Sequence, residues 1–116
     1  MRKNVLKKGA DYIQVDVSVI VFEEHGTFVA YCPALELSSY GENEKEAKEA
    51  FEGAMDIFIK ETSQRGTLEK FLLQLGWSLQ KRPKIDYKPP TLSLKESQKL
   101  ISKNGKVYDE RVAMPV

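Results

Sequence analysis

Four carboxylates are the side chains of this sequence best suited to chemistry: Asp16, Glu46, Glu49 and Asp86. Clustered carboxylates hold the two divalent metals of many nucleases, so these residues define a metal-dependent nuclease hypothesis. The spacing argues against it, because Glu46 and Glu49 follow the pattern of a capped and solvated helix, and Asp86 lies in a proline-rich segment. We therefore predict a non-enzymatic protein with no catalytic residues, no metal site and no cofactor.

The single cysteine and the single histidine do not form a catalytic pair. Cys32 ends an apolar strand pattern before Pro33, without a cationic cluster that would stabilise a thiolate, so it is expected to be a small buried hydrophobe. His25 lies among acidic residues in a turn, and no Ser or Cys relay accompanies it. One cysteine makes no internal disulfide, which indicates a reducing, intracellular setting.

Charge and length limit the classes of partner. The chain has 116 residues, with 18 basic and 17 acidic side chains and a net charge of +1. This balance argues against sequence-independent nucleic-acid binding. The alternative of a stand-alone, oligomeric RNA-binding domain lacks paired aromatic residues on a basic strand face. A core of this size is modest, which favours oligomerisation.

Neither a secretory signal nor a membrane span is predicted. Residues 1–10 are basic but contain no apolar run, and the bland interpretation is a solvated terminus rather than a basic arm. No stretch approaches the roughly 18 consecutive apolar residues of a spanning helix. We expect a cytoplasmic protein without membrane association.

The first third of the chain predicts an antiparallel meander. Odd-numbered apolar residues from Ile13 to Val21 alternate with a face that begins polar, as in a strand with one buried face. Gly26 can supply the positive φ of a hairpin turn, and Thr27–Cys32 forms the return strand. Pro33 ends that strand. A third short strand ends at Gly41.

A long capped helix follows. Asn43 is a favoured N-cap, and Glu46 is placed to complete a capping box. The helix is expected to end near Thr62, and Gly53 within it suggests close backbone packing. The opposite side is expected to carry Glu44 with Lys48 and Asp56 with Lys60 as ion pairs. The predicted apolar stripe consists of Ala47, Ala50, Phe51, Ala54, Met55 and Phe58.

The rest of the chain predicts shorter elements. Thr67 is a candidate cap for a short helix with Leu68, Phe71, Leu72 and Leu75 on one face, and Gly76 ends it. Residues 77–80 alternate like a fourth strand that pairs with the sheet. We expect an α+β domain at 1–80, a proline-rich linker at 81–92 and a helix–strand tail at 93–116. The tail helix covers 94–103, and its strand, at 106–116, pairs within the chain or with a second copy.

Residues 22–58 carry a family pattern. Gly26–Leu35 forms a hairpin, and Gly41 and Glu42 precede the cap Asn43 before Glu46-Ala47 opens an alanine-rich helix. This pattern resembles the N-terminal domain of the HicB family, the antitoxin half of a bacterial toxin–antitoxin pair, over roughly residues 12–80. Asn43 stands where the family often has Thr. An orphan relative that has no toxin partner is also compatible with the pattern.

The resemblance implies a fold and a partner. The fold is an incomplete ribonuclease-H-like sheet of three or four antiparallel strands with a helix packed on one face. The partner is a small basic toxin of the HicA mRNA-interferase type, whose ribonuclease site is occluded, and homo-oligomers are implied as well. Many relatives add a C-terminal DNA-binding module. Residues 81–116 show neither a helix-turn-helix nor a ribbon-helix-helix pattern, so DNA binding is not predicted.

A partner-binding surface is predicted on the long helix. Charge complementarity to a basic partner points to its acidic side, although such a side is more often only solubilising. Tyr40 and the region of Trp77 are candidates for an apolar contact patch, for which core filling is the favoured alternative. The predicted partner-binding residues are Glu44, Glu49, Glu52, Asp56 and Tyr40.

Overall fold

An antiparallel sheet of four strands carries one long helix on one face, as the α+β prediction required. The computed structural model describes residues 12–91 and 104–116. The predicted tail helix at 94–103 and the basic segment 1–10 lie outside these residues. The elements are β1 (Tyr12–Glu24), β2 (Thr27–Cys32), β3 (Leu37–Gly41), α1 (Glu44–Gln64), α2 (Leu68–Gln74), β4 (Ser78–Gln80), β5 (Asp86–Lys88) and β6 (Lys106–Pro115). In the described ranges, neither helix is long and apolar enough to cross a membrane.

The alternation of β1 decides which sheet face is buried under α1. Its valines at 15, 17, 19 and 21 are all buried in the main core. On the other face, which we name the outer face, Asp16 and Ser18 are exposed. Ile20 and Phe22 are buried there with Val29 in a second, smaller cluster. The predicted pattern of one buried face and one partly covered face is confirmed.

A tight hairpin joins β1 to β2. Glu24 is paired with Thr27, which leaves His25 and Gly26 as a two-residue loop. Both loop residues have positive φ, 53° for His25 and 80° for Gly26, as the type I′ turn demands. The predicted role of Gly26 is therefore confirmed. Pro33 also ends β2 as expected, since the chain turns there before β3.

β6 completes the main sheet on the far side of β1, giving the strand order β3-β2-β1-β6. It pairs antiparallel with β1 without a break, from Tyr12 opposite Pro115 to Val21 opposite Lys106. The predicted strand at 106–116 thus exists and belongs to the same sheet as β1. The unbroken register places Tyr108, Glu110 and Val112 on the face that α1 covers.

The predicted fourth strand at 77–80 forms as β4, but its predicted pairing is wrong. β4 pairs with β5 in a separate two-stranded sheet. β5 lies within the segment 81–92 that was expected to be a linker. Its central residue Tyr87 is only 3% exposed and belongs to the main core. Burying the large Tyr87 ring stabilises the fold, and an extended linker would leave that ring in solvent. The segment therefore folds back onto the core.

The buried stripe of α1 is narrower than predicted. Ala47, Phe51 and Met55 are buried as expected, and Ile59 and Thr62 continue the stripe. Ala50, in contrast, is exposed. The expectation for Gly53 is wrong, because a Cβ built at Gly53 would meet no atom within 4 Å. The buried residues are spaced by four from Ala47 to Ile59 and by three from Ile59 to Thr62, and the predicted Ala54 and Phe58 are half-buried beside them.

The entry into α1 is fixed by its cap. The Asn43 Oδ1 atom accepts a hydrogen bond from the Glu46 N–H at 2.9 Å, as a capping box predicts. The Glu46 Oε1 atom accepts from the Glu42 N–H at 3.0 Å, one residue earlier than predicted. Gly41 has no room for a side chain, since an added Cβ would lie 2.4 Å from the Ala47 nitrogen. The cap, the close approach and the end of β3 therefore form one unit.

Trp77 joins the second half of the chain to the first. Its side chain is 3% exposed, and its Nε1 donates a hydrogen bond to the Ala34 carbonyl at 2.8 Å. Nearby, the Tyr87 hydroxyl donates to the Glu69 carboxylate at 2.7 Å, and Lys81 donates to the same carboxylate. These bonds hold the β4–β5 hairpin against α2. The pKa of Glu69 is lowered by the bonds from Lys81 and Tyr87.

The short helix α2 is confirmed with two differences. Leu68 and Leu72 are buried, but Phe71 is 44% exposed and makes an edge contact with Phe58. Thr67 precedes the helix without a side-chain capping bond. Gly76 has a φ of 97° past the helix end, as predicted.

Candidate partner-binding surface

The structure does not gather the five predicted binding residues on one surface. Glu49, Glu52 and Asp56 are exposed on α1. Tyr40 is paired with Val29 on the outer face of the sheet, which is the face opposite α1. Its side chain is 62% exposed, so the favoured alternative of core filling is wrong for Tyr40. Trp77, in contrast, fills the core.

Glu44 belongs to a structural contact between α1 and β6. Its carboxylate accepts a hydrogen bond from the Lys106 Nζ atom at 3.0 Å. The Lys48 ammonium lies 4.7 Å from the centre of the Tyr108 ring instead of pairing with Glu44. The predicted pair of Asp56 with Lys60 is likewise not among the ion pairs of residues 12–91 and 104–116. Lys48 of α1 thus contacts Tyr108 of β6, and the cation that pairs with Glu44 comes from β6.

Glu110 of β6 extends the acidic side of α1 onto the sheet. It lies opposite Val17, and hence on the face that α1 covers. Partial burial raises the pKa of Glu110, and the negative charges of Glu52 and Asp56 raise it further. We name Glu49, Glu52, Asp56 and Glu110 the acidic surface. Within the described ranges, no ion pair involves any of the four.

The negative charges of the acidic surface also affect the pKa of Tyr108. Its pKa is raised to about 12, mainly by burial and then by Glu110 and Glu52. Its hydroxyl is buried and has no hydrogen-bond partner in the described part of the chain. A phenol in this position stays neutral, since the phenolate would add a further negative charge beside two carboxylates.

A groove lies next to the acidic surface, between the second half of α1 and the end of β6. Its volume is about 550 Å³. Ile59 and Val112 give it apolar walls, and Asp56 and Lys60 line it as well. The Ser63 hydroxyl, which also lines it, is buried and finds no partner among the described residues. An apolar side chain flanked by a polar group fits this lining.

The carboxylates of the nuclease hypothesis lie apart. Asp16 is on the outer face, where its Oδ1 accepts a hydrogen bond from the Arg111 Nε at 3.2 Å. Glu46 caps α1, which packs on the opposite face. Asp86 of β5 is 3.6 Å from Lys88. Nowhere in 12–91 or 104–116 do three or more His, Cys, Asp or Glu side chains come together as a metal site.

Cys32 and His25 are placed as the sequence predicted. Cys32 is fully buried, and burial raises the pKa of its thiol, which disfavours the reactive thiolate. His25 is exposed in the hairpin turn.

Sequence reasoning found the acids of α1 but missed Glu110. The helical spacing of Glu49, Glu52 and Asp56 was enough to place them on one side of the helix. For Glu110, the alternation of Tyr108, Glu110 and Val112 was a usable signal. The alternation alone does not determine which side of β6 faces α1, because that depends on the partner strand and the register of β6.

Glu110→Gln is expected to stabilise the fold at neutral pH. A carboxyl whose pKa is raised by folding contributes stability below its ordinary pKa, and that contribution is lost as pH rises through the raised value. Glutamine is uncharged at every pH, so the variant does not lose this stability as pH rises. The melting temperature of the variant should exceed that of the parent at pH 7 and match it near pH 4. Thermal melts followed by circular dichroism test this. Glu61→Gln, an exposed site on another side of α1, is the control, and an equal gain there would contradict the prediction.

The chain was compared with known proteins at the levels of family, sequence and structure. No family model, no curated protein and no solved structure matches it.

Proposed function

We propose that this protein is a non-catalytic, antitoxin-like interaction protein of the cytoplasm. It binds a small basic protein of the HicA mRNA-interferase type, occludes the ribonuclease site of that partner, and forms homo-oligomers. The HicB-like motifs of residues 22–58 supply the class of partner. The acidic surface is the observation that carries the proposal.

The carboxylates of the acidic surface are not neutralised by any ion pair within the described ranges, so this surface attracts a cation. Its carboxylates come from α1 and β6 and are close enough that Glu52 and Asp56 raise the pKa of Glu110. The neighbouring Lys48 is held over Tyr108, and Lys106 is bonded to Glu44. A basic partner that reaches this surface relieves the repulsion among the carboxylates and gains complementary charge.

The adjoining groove supplies the apolar part of the contact. Interfaces draw most of their binding energy from a few apolar or aromatic anchors in pockets, with charges at the rim setting orientation and association rate. In this proposal the groove between Ile59 and Val112 is the pocket, and Asp56 is a charge in its lining.

Charge reversal tests the proposed function. The partner to use is a purified small basic mRNA interferase of the HicA type, with binding measured by isothermal titration calorimetry and inhibition measured as protection of an RNA substrate. Glu49→Lys with Glu52→Lys is expected to weaken binding at least tenfold, or about 1.4 kcal/mol. Binding by the parent should also weaken as salt rises.

The matched control is Glu23→Lys with Glu61→Lys. It makes the same change in net charge at exposed positions away from the acidic surface. The control should bind like the parent. Equal losses in both pairs would show that only net charge matters, and an unchanged affinity in the Glu49/Glu52 variant would overturn the proposed surface. If the parent itself leaves RNA cleavage by that partner unaffected, the antitoxin role fails.

A further inference from the structure

β6 is an edge strand with the properties of a pairing surface. It runs for ten residues, Lys106–Pro115, and its register with β1 contains no bulge. Nothing in the described ranges pairs with its outer edge, which is the end of the strand order β3-β2-β1-β6. α1 packs mainly against β3 and β2, so the helix does not cover this edge. Long, regular edges of this kind recruit another strand unless they are blocked.

We propose that β6 pairs antiparallel with β6 of a second copy of this chain, with the two-fold axis at Glu110. The result is a continuous eight-stranded sheet with both α1 helices on the same face. The inference specifies the interface of the homo-oligomer in the proposed function, and it rests on that part of the proposal.

Charge complementarity selects this occupant and this register. With the axis at Glu110, Asp109 lies directly opposite Arg111 of the other copy, and the pairing occurs twice. Arg111 already donates to Asp16 on the outer face at 3.2 Å. Each guanidinium would therefore lie between Asp16 of its own chain and Asp109 of the copy, and its five donors can serve both carboxylates.

The apolar residues agree with the same register. Val107, which is 52% exposed, comes opposite Ala113, and Tyr108 comes opposite Val112. An aromatic residue opposite a β-branched one, as Tyr108 opposite Val112 would be, is a favourable cross-strand pair. Pairing also covers almost the whole strand, because Glu110 lies near the middle of β6.

Other registers are less favourable. A slip that moves the axis by one residue loses both Asp109–Arg111 pairs and places Asp109 opposite Asp109 or Arg111 opposite Arg111. Moving the axis to Val112 pairs no opposite charges and leaves the start of β6 unpaired. Moving the axis to Tyr108 pairs Lys106 with Glu110 but leaves the second half of β6 unpaired. In the selected register the only like-charge contact is Glu110 with its copy, beside the acidic surface.

The contact between Glu110 and its copy relates the dimer to the basic protein of the proposed function. The two acidic surfaces would face each other across the axis, on the side of the sheet that carries both helices. A basic protein bound between the helices would neutralise both. The dimer is thus expected to tighten when the basic partner is added.

A charge-swap experiment tests the interface, with mass measured by sedimentation velocity over a concentration series up to the millimolar range. The mass obtained for the parent should be twice the 13.2 kDa of one chain. Asp109→Arg and Arg111→Asp should each sediment as monomers, because each creates a like-charge pair. Their equimolar mixture should recover the dimer, since arginine at 109 then faces aspartate at 111. A monomeric parent, a dimeric single variant or a monomeric mixture would overturn the proposal.

Cross-linking tests the position of the axis. In Glu110→Cys the two new thiols meet across the axis, where the Cβ atoms of directly opposed residues lie about 4.5–5.5 Å apart. Mild oxidation should convert most of this variant to a covalent dimer. Glu49→Cys, at an exposed position of α1, should not cross-link, and the native Cys32 should not react in either variant because it is fully buried. Equal cross-linking of the two variants, or none at position 110, would overturn the register.

The two proposals fail in different ways. A chain that stays monomeric but binds the basic partner through Glu49 and Glu52 removes the dimer alone. A dimer that ignores the basic partner removes the antitoxin function and leaves the interface in place.

Discussion

Gly41→Ala is expected to destabilise the fold by about 3 kcal/mol or more, at the upper end of overpacking costs. The added Cβ would lie 2.4 Å from the Ala47 nitrogen and 2.7 Å from the Glu46 carbonyl carbon. Both are backbone atoms of the first turn of α1, so no side-chain rotation relieves the clash. The end of β3 would have to separate from α1, and the capping bonds around Asn43 would weaken with it. Chemical denaturation followed by circular dichroism measures the loss.

Gly53→Ala is the matched control. The chemical change is identical, but nothing lies within 4 Å of the Cβ position at Gly53. Alanine inside a helix is about 0.5–1 kcal/mol better than glycine, so this variant should be more stable than the parent. The two substitutions should therefore have opposite signs. A small loss for Gly41→Ala would mean that β3 and α1 can move apart at little cost.

Trp77→Ala is expected to cost about 3–5 kcal/mol, the usual range for deleting a buried large aromatic side chain. Trp77 is 3% exposed within the main core, and its Nε1 donates to the Ala34 carbonyl at 2.8 Å. The variant loses that packing and leaves the carbonyl without its donor. The free energy of unfolding and the midpoint of denaturation both report the change.

Trp77→Phe separates packing from hydrogen bonding. Phenylalanine keeps much of the apolar contact but cannot donate to Ala34, and an unsatisfied buried carbonyl costs about 1–3 kcal/mol. Trp77→Phe should thus lie between the parent and Trp77→Ala. If both variants unfold at the same denaturant concentration, the hydrogen bond carries the whole effect and the packing estimate is wrong.

The local elements could be predicted from the sequence because their signals are local. The alternation of Val15, Val17 and Val19 defines the strand and its buried face. Asn43 with Glu46 marks the helix start, and Gly26 marks the turn. Each signal depends on residues within one turn or one strand, where steric and hydrogen-bonding preferences act directly.

The long-range arrangement could not be predicted in the same way. The strand at 106–116 was predicted, but its pattern does not state that it pairs with β1. Tyr87 was hidden in a segment whose prolines indicate a linker, and a three-residue strand is too short for a periodic signal. The α1 residues of the acidic surface were predicted, because helical spacing is a local signal. Glu110 was not predicted, because its position depends on the register of β6.

The pairing of β1 with β6 sets an order of events during synthesis. Asp16 and Arg111, bonded to each other, are 95 residues apart in the chain. A ribosome adds about 5–20 residues per second, so β1 emerges about 5–20 s before its partner strand. Through that interval only one edge of β1, the edge next to β2, has a partner strand. Contacts between such distant residues also slow folding itself. An unpaired strand edge is a site of aggregation, so the newly made chain is expected to be most prone to misassembly before β6 arrives.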